Sequence, residues 1–200
     1  VGNGTKIENI YVLESADDAI EFFGGTVNVT NLLAVNPDDD MFDFTQGYCG
    51  TLKNCYGVWE RDYTSTEADP RGIEADGNMD GLYPDHLRQS DFIVENMTIV
   101  NNAANTTDNV DRMQDVIKIR RGAKATITNA LVKGSGGTID LIDMNDNKGT
   151  GNAASSISIT HTLNFKNKLN GTLNTFTEPT TNTGADASLF TWSGYNFSSL

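Results

Sequence analysis

The sequence predicts an all-β fold, a right-handed parallel β-helix of about six coils with an irregular C-terminal cap. Three observations carry that expectation. The stretch "DDAIEFFGGTVNVTNLLAV" from Asp17 is nearly rewritten as "DDMFDFTQGYCGTLKNCYGV" from Asp39. Self-similarity at a period of about 22 residues marks stacked units. Within each unit, short apolar runs alternate with polar residues, a pattern that buries one face of a strand. The composition agrees, being rich in Asn, Thr and Gly with only 4 prolines, which favours turns and strands.

The elements follow in order. Six segments, "KIENIYV", "NVTNLLA", "TLKNCYG", "IVENMTI", "TITNALV" and, less well, "SITHTLN", place Asn9, Asn31, Asn54, Asn96, Asn129 and a poorer sixth member, His161, in one column. Asn tolerates the left-handed backbone of a tight turn and can hydrogen-bond along a stack. A second set, "AIEFF", "MFDFT", "GIEAD", "VIKIR" and "TIDLI", points Ile20, Phe42, Ile73, Ile117 and Ile139 inward. Phe22, Phe44, Ala75, Ile119 and Leu141 follow two positions later. Three strands per coil, with coils about 4.8 Å apart, account for both columns. Residues 1–171 are read as coils and 172–200 as a cap whose Phe190, Trp192 and Tyr195 cover the last one.

Insertions lie at Trp59 to Arg71, Gly77 to Asp91 and Asn101 to Gln114, flanking one strand face. Long loops on a rigid scaffold tend to carry function. A net charge of −13 argues against nucleic acid and anionic membranes. No run of eighteen apolar residues is present to span a bilayer. Cys49 and Cys55 bracket one short strand, which would hold them too far apart for a disulfide, so both are expected free.

Three groups of residues could carry chemistry. The outward column Glu21, Asp43, Glu74, Lys118 and Asp140 stacks carboxylates on neighbouring coils, where like charges need compensation. The bland reading is a partly salt-bridged acidic face, and the sharper one is glycan hydrolysis or lysis, for which paired carboxylates at such spacings are suited. "DGNMDG" puts Asp76, Asn78 and Asp80 at the early oxygen-ligand positions of a calcium loop, with Asp85 close by. An ordinary Asx-rich turn explains that spacing too. Trp59, Arg61, Tyr63, Tyr83, His86 and Arg88, in the inserted loops, together with Arg120, could bind a sugar by stacking and hydrogen bonds. A loop Trp that only pins its loop to the barrel is an equal reading of Trp59. The triplet Asp38 to Asp40 after Pro37 reads as turn chemistry and solvation. With only 2 histidines, no histidine-based metal site or triad is expected.

The run "VGNGTKIENIYVLESADDAIEFFGGTVNVTNLLAVNPDDDMFDF", with "GIEADGN" and "VIKIRRGAKATITNALVKG" further on, resembles a family of secreted or surface-exposed parallel β-helix proteins of Gram-negative bacteria. These share the pectate-lyase-like superfold and mostly have no assigned activity, so no catalytic residues carry over. The resemblance implies an extracellular or cell-surface protein that is non-catalytic: glycan binding, adhesion or part of a surface assembly. A polysaccharide lyase or glycoside hydrolase on the acidic face is the alternative. It also implies that this chain is the C-terminal part of a longer β-helix. Ile7, Ile10 and Val12 would then be covered by further coils, a partner or another subunit.

Overall fold

A computed structural model describes residues 2–103 and 113–200. The chain alternates long and short strands: β1 (Lys6–Leu13), β2 (Glu21–Phe23), β3 (Asn28–Val35), β4 (Phe42–Thr45), β5 (Thr51–Trp59) and β6 (Ile73–Ala75). It continues with β7 (Asp91–Asn101), β8 (Met113–Ile119), β9 (Lys124–Gly134), β10 (Thr138–Asp143), β11 (Ser156–His161) and β12 (Thr175–Thr177). The long strands and β12 form a seven-stranded sheet in the order β1-β3-β5-β7-β9-β11-β12. The short ones form a second sheet, β2-β4-β6-β8-β10. Pairing is parallel throughout both sheets. This is the expected parallel β-helix.

The asparagine column explains how two sheets accommodate three strand segments per coil. Asn9, Asn31, Asn54, Asn96 and Asn129 all have φ between 52° and 60°, a left-handed step that bends each long strand in two. Ladder pairing skips each of them, running Glu8↔Thr30 and then Ile10↔Leu32. Their amides bond along the stack, Asn31 Nδ2 to Asn9 Oδ1 at 2.9 Å, Asn54 to Asn31 at 2.9 Å and Asn129 to Asn96 at 2.8 Å.

His161 does not join the column. Ile157 pairs with Ile127 and Ile159 with Ala130, so one residue, Ser158, spans what Thr128 and Asn129 span below it. His161 therefore lies opposite Val132 and bonds Glu178 instead, Nε2 to Oε1 at 2.7 Å.

Between the sheets runs one continuous core. Phe44 stacks on Phe92 at 4.0 Å and on Phe22 at 5.4 Å between ring centroids. Each such buried ring contributes on the order of 1.5–3 kcal/mol relative to its exposed state. Cys49 and Cys55 are free, and Cys55 is fully buried in this core. Ile7, Ile10 and Val12 of β1 pack against it while remaining half-buried.

Phe190, Trp192 and Tyr195 do not cover the last coil, whereas the start of the segment 172–200 does, with β12 pairing β11 and extending the stack. That end is covered by Leu163, Phe165, Leu169, Leu173 and Phe176, which pack on the main core. The segment after β12 turns back and runs down the outer side of the long-strand sheet as a strap. Asn182 Nδ2 donates to Ala130 O and Ser158 Oγ, both at 3.2 Å. Thr183 N–H then donates to Asn129 Oδ1, Ala185 N–H to Thr98 Oγ1 at 2.9 Å, and Asp186 N–H to Asn54 Oδ1 at 2.7 Å. A 3-10 turn, Ala187–Ser193, is capped by Asp186 and lodges Phe190, fully buried, among Leu33, Val35, Tyr56, Val58 and Val100. Tyr195 reaches the first coil, its ring 6.3 Å from that of Tyr11. Trp192 remains 43% exposed. The strap buries the outward apolar residues of β3, β5 and β7, which would otherwise be an exposed patch.

Candidate functional site

The outer face of the short-strand sheet is a grid of charges. Strand register aligns Glu21, Asp43, Glu74 and Lys118 as the sequence predicts. Asp140 is the exception. Thr138 pairs with Met113, so Asp143 stands opposite Lys118, while Asp140 stands opposite Asp115. "TIDLID" offers apolar-Asp-apolar twice, three residues apart, and the turn before β10 selects the second. Asn101 Nδ2 donates to Gly137 O and Thr138 Oγ1, and this pins where the strand begins.

A second row lies three residues earlier on each coil and was not anticipated: Asp18, Asp40, Arg71, Asp115 and Asp140. Asp40 N–H donates to Asp18 Oδ1 at 2.9 Å, and Arg71 Nε lies 3.6 Å from Asp115. The doubled aspartates ahead of Glu21 and Asp43 were the available signal. Asp38 does behave as turn chemistry. Against the burial that would raise it, hydrogen bonds from Thr66 and Tyr63 hold its carboxyl below the usual range. Asp40, by contrast, is 3% exposed rather than solvated.

From the third coil onward the charges are matched. Arg71 pairs with Glu74 and, at 2.8 Å, Asp69. Lys118 pairs with Asp143 and approaches Asp115 at 3.8 Å. Arg120 grips Asp76 through Nε and Nη2, each at 3.1 Å, and also pairs with Glu74. Such bidentate, partly buried pairs are the strong kind. The first two coils differ. Asp18, Glu21, Asp39, Asp40 and Asp43 make no ion pair among the described residues. Burial pushes Asp43 up to about 9, Asp18 to about 7 and Asp39 to about 6, with neighbouring carboxylates adding to the rise.

The loop read as a calcium site faces arginine. Asp76 is 3% exposed and held by Arg120 and Arg121, and Asp80 pairs with Arg121 at 3.2 Å. Asn78 donates to Arg88 O at 3.3 Å, and Asp85 is exposed. Asp76, Asp80 and Asp85 do not gather their carboxylate oxygens within 4.8 Å of one another.

The aromatic candidates divide. Trp59 is 1% exposed, its Nε1 donating to Pro37 O at 3.0 Å, so it anchors its loop and offers no sugar platform. Tyr63 is half-buried, donating to Pro37 O at 2.8 Å. Tyr83, His86 and Arg88 are exposed on the loop between β6 and β7, where Arg88 N–H donates to His86 Nδ1 at 3.1 Å. Arg61 and Tyr63 instead line a separate open groove of about 730 Å³ with Glu14, Glu60, Asp62 and Lys133. Neither Arg61 nor Lys133 makes an ion pair among the described residues. The insertion from Asn101 to Gln114 lies mostly outside the described residues.

The class defined by this fold and face is a parallel β-helix whose short-strand sheet displays a polar grid. The chain belongs to the pectate-lyase-like beta helix domain family, whose sequence model matches residues 1–195. No curated protein and no solved structure matches it. No helix among the described residues is long and apolar enough to cross a membrane.

Proposed function

We propose that the chain is a non-catalytic glycan-binding β-helix working outside the cell, at the cell surface or in a surface assembly. The carrying observation is the groove beside Tyr63. Glu14, Glu60 and Asp62 accept hydrogen bonds, Arg61 and Lys133 donate them, and the tyrosine ring adds an apolar wall. Sugar hydroxyls, which both donate and accept, suit such a lining. Beyond the second coil the acidic column is bound to arginine and lysine, leaving few carboxylates free to move protons. A surface protein, or further coils of another subunit, is the alternative partner class.

A second reading, polysaccharide lyase or glycoside hydrolase, is favoured by one observation: Asp18, Glu21 and Asp43 bring carboxylate oxygens within 4.8 Å of one another. Glycan-array binding followed by a reducing-end assay on the hits separates the two. The binding reading expects ligands whose affinity falls about tenfold or more in an Arg61→Ala/Lys133→Ala variant, with no new reducing ends. Turnover that disappears in Glu21→Gln would replace it with the catalytic reading.

A further inference from the structure

The two ends of the short-strand sheet carry similar acidic triads with different surroundings. At the far end, Asp115, Asp140 and Asp143 have oxygens within 4.8 Å of one another. There Lys118 reaches both Asp143 and Asp115, and Asn167 Nδ2 donates to Asp140 Oδ1 at 2.7 Å. At the near end, Asp18, Glu21 and Asp43 are as close together. No lysine or arginine touches them among the described residues. Asp43 is only 9% exposed, and its Oδ1 is buried without a hydrogen-bond partner. A buried carboxylate oxygen left unpartnered has lost its hydration with nothing in return, so something ordinarily satisfies it.

We propose that Asp18, Glu21 and Asp43 bind a divalent cation of the calcium type, which supplies the near end with the positive charge that Lys118 supplies at the far end. Oxygen ligands 2.3–2.6 Å from a shared ion lie at most about 5 Å apart, so the observed approach fits one cation. The donors are all carboxylates, with neither sulfur nor imidazole among them, and this selects a hard ion over zinc or copper. Asp17 and Asp39, whose oxygens lie within 4.8 Å of Asp18, extend the site toward solvent and give the ion a way in. The site is separate from the groove beside Tyr63 and holds whether or not that groove takes a glycan.

Calorimetric titration of Ca²⁺ into chelator-treated protein near neutral pH, with melting curves at each metal concentration, tests this. The expected result is one saturable site with a rise in Tm that follows mass action. Affinity should fall at least tenfold in Asp43→Asn and in Glu21→Gln. Asp115→Asn, in the far triad, should bind as the parent does. Both test substitutions are near-isosteric and remove charge from an acidic cluster, so circular dichroism should remain that of the parent. Glu21 is half-exposed and serves if Asp43→Asn misfolds. No saturable binding at millimolar Ca²⁺ overturns the proposal, as does binding unchanged in both variants. Loss of binding in Asp80→Asn/Asp85→Asn alone would place the cation in the loop between β6 and β7 and equally overturn it.

Discussion

The backbone N–H of Asp186 donates to Asn54 Oδ1 at 2.7 Å across 132 positions of sequence. The bond joins the returning strap to the asparagine column that shapes the coils. Asn129 does the same further along, accepting from Thr183 and Gly184 and donating to Gly184 O. Side chains that stabilise the turn inside the stack thus also present a row of outward acceptors, and the strap lies along that row.

The strap should matter for stability. Phe190→Ala removes a fully buried ring from the cluster around Tyr56 and should cost about 3–5 kcal/mol in urea unfolding. A cost under about 1 kcal/mol would mean that the strap is not held in solution.

Gly184 offers a subtler test. Its φ is +71°, and a Cβ there would lie 2.2 Å from Thr98 Oγ1 and 3.0 Å from Met97 O. Gly184→Ala should release the strap locally, speeding amide exchange at Ala185 and Asp186 while leaving the inner strands protected. Unchanged exchange at those two amides would show that the contact is loose.

The asparagine column was readable because each member sits at a fixed offset inside a conserved alternation of apolar residues within this one chain. Residues of the inward columns were readable for the same reason except on β10, where Ile142, not the expected Ile139, stands opposite Ile117. The strap was not, since its contacts depend on where the tail travels, and "LFTWSGYNF" reads equally well as a lid. Half of the charged grid was also hidden. Arg71 lies at the end of an insertion with no repeat partner of its own kind, and "TIDLID" fits two registers. Burial decided between the two readings of Trp59, since composition cannot tell an anchoring indole from an exposed one.

At Asn31, φ is 57° and the side chain bonds Asn9 and Asn54. Asn31→Gly keeps the backbone step and loses the bonds, whereas Asn31→Val loses both. The expected order of stability is Asn above Gly above Val, with Val costing about 1–2 kcal/mol more than Gly. Equal costs for the two substitutions would show that the left-handed step carries no strain.

Arg71 holds the centre of the grid, with its side chain 7% exposed among Asp69, Glu74 and Asp115. Arg71→Met leaves buried carboxylates uncompensated and should destabilise by about 3–5 kcal/mol at neutral pH. The loss should shrink as those acids are protonated at lower pH. A loss independent of pH would assign the residue to packing alone.

Metal-free protein should become less stable as pH rises from about 5 to about 9. Asp43, Asp18 and Asp39 are raised, mainly by burial, from 3.8 to about 9, 7 and 6. The folded state therefore keeps protons that the unfolded chain has released, and that advantage is lost as each folded pKa is passed. Among the groups facing them, Asp17, Glu21, Glu67, Asp69, Glu74 and Asp76 add to the rise, while the backbone N–H of Asp40 opposes it at Asp18 and Arg71 opposes it at Asp39. Asp38, Asp146 and Glu178 are lowered and titrate below this window. Urea midpoints measured in chelator across the range check the slope, and a flat or rising profile contradicts it.

Repeat folds ordinarily gain or lose whole coils at little cost to the remainder, because each coil touches only its neighbours. The strap removes that freedom here. Thr183 and Gly184 sit at the level of β9, Ala185 at β7 and Asp186 at β5, about one residue of tail for each step down the stack. Duplicating an inner coil would move the anchor points apart by about 4.8 Å while the tail kept its length. Phe190 would then miss its socket unless the tail gained a residue or two to match. The tail acts as a ruler, and the number of coils between Asn54 and Asn129 is set by what it can span.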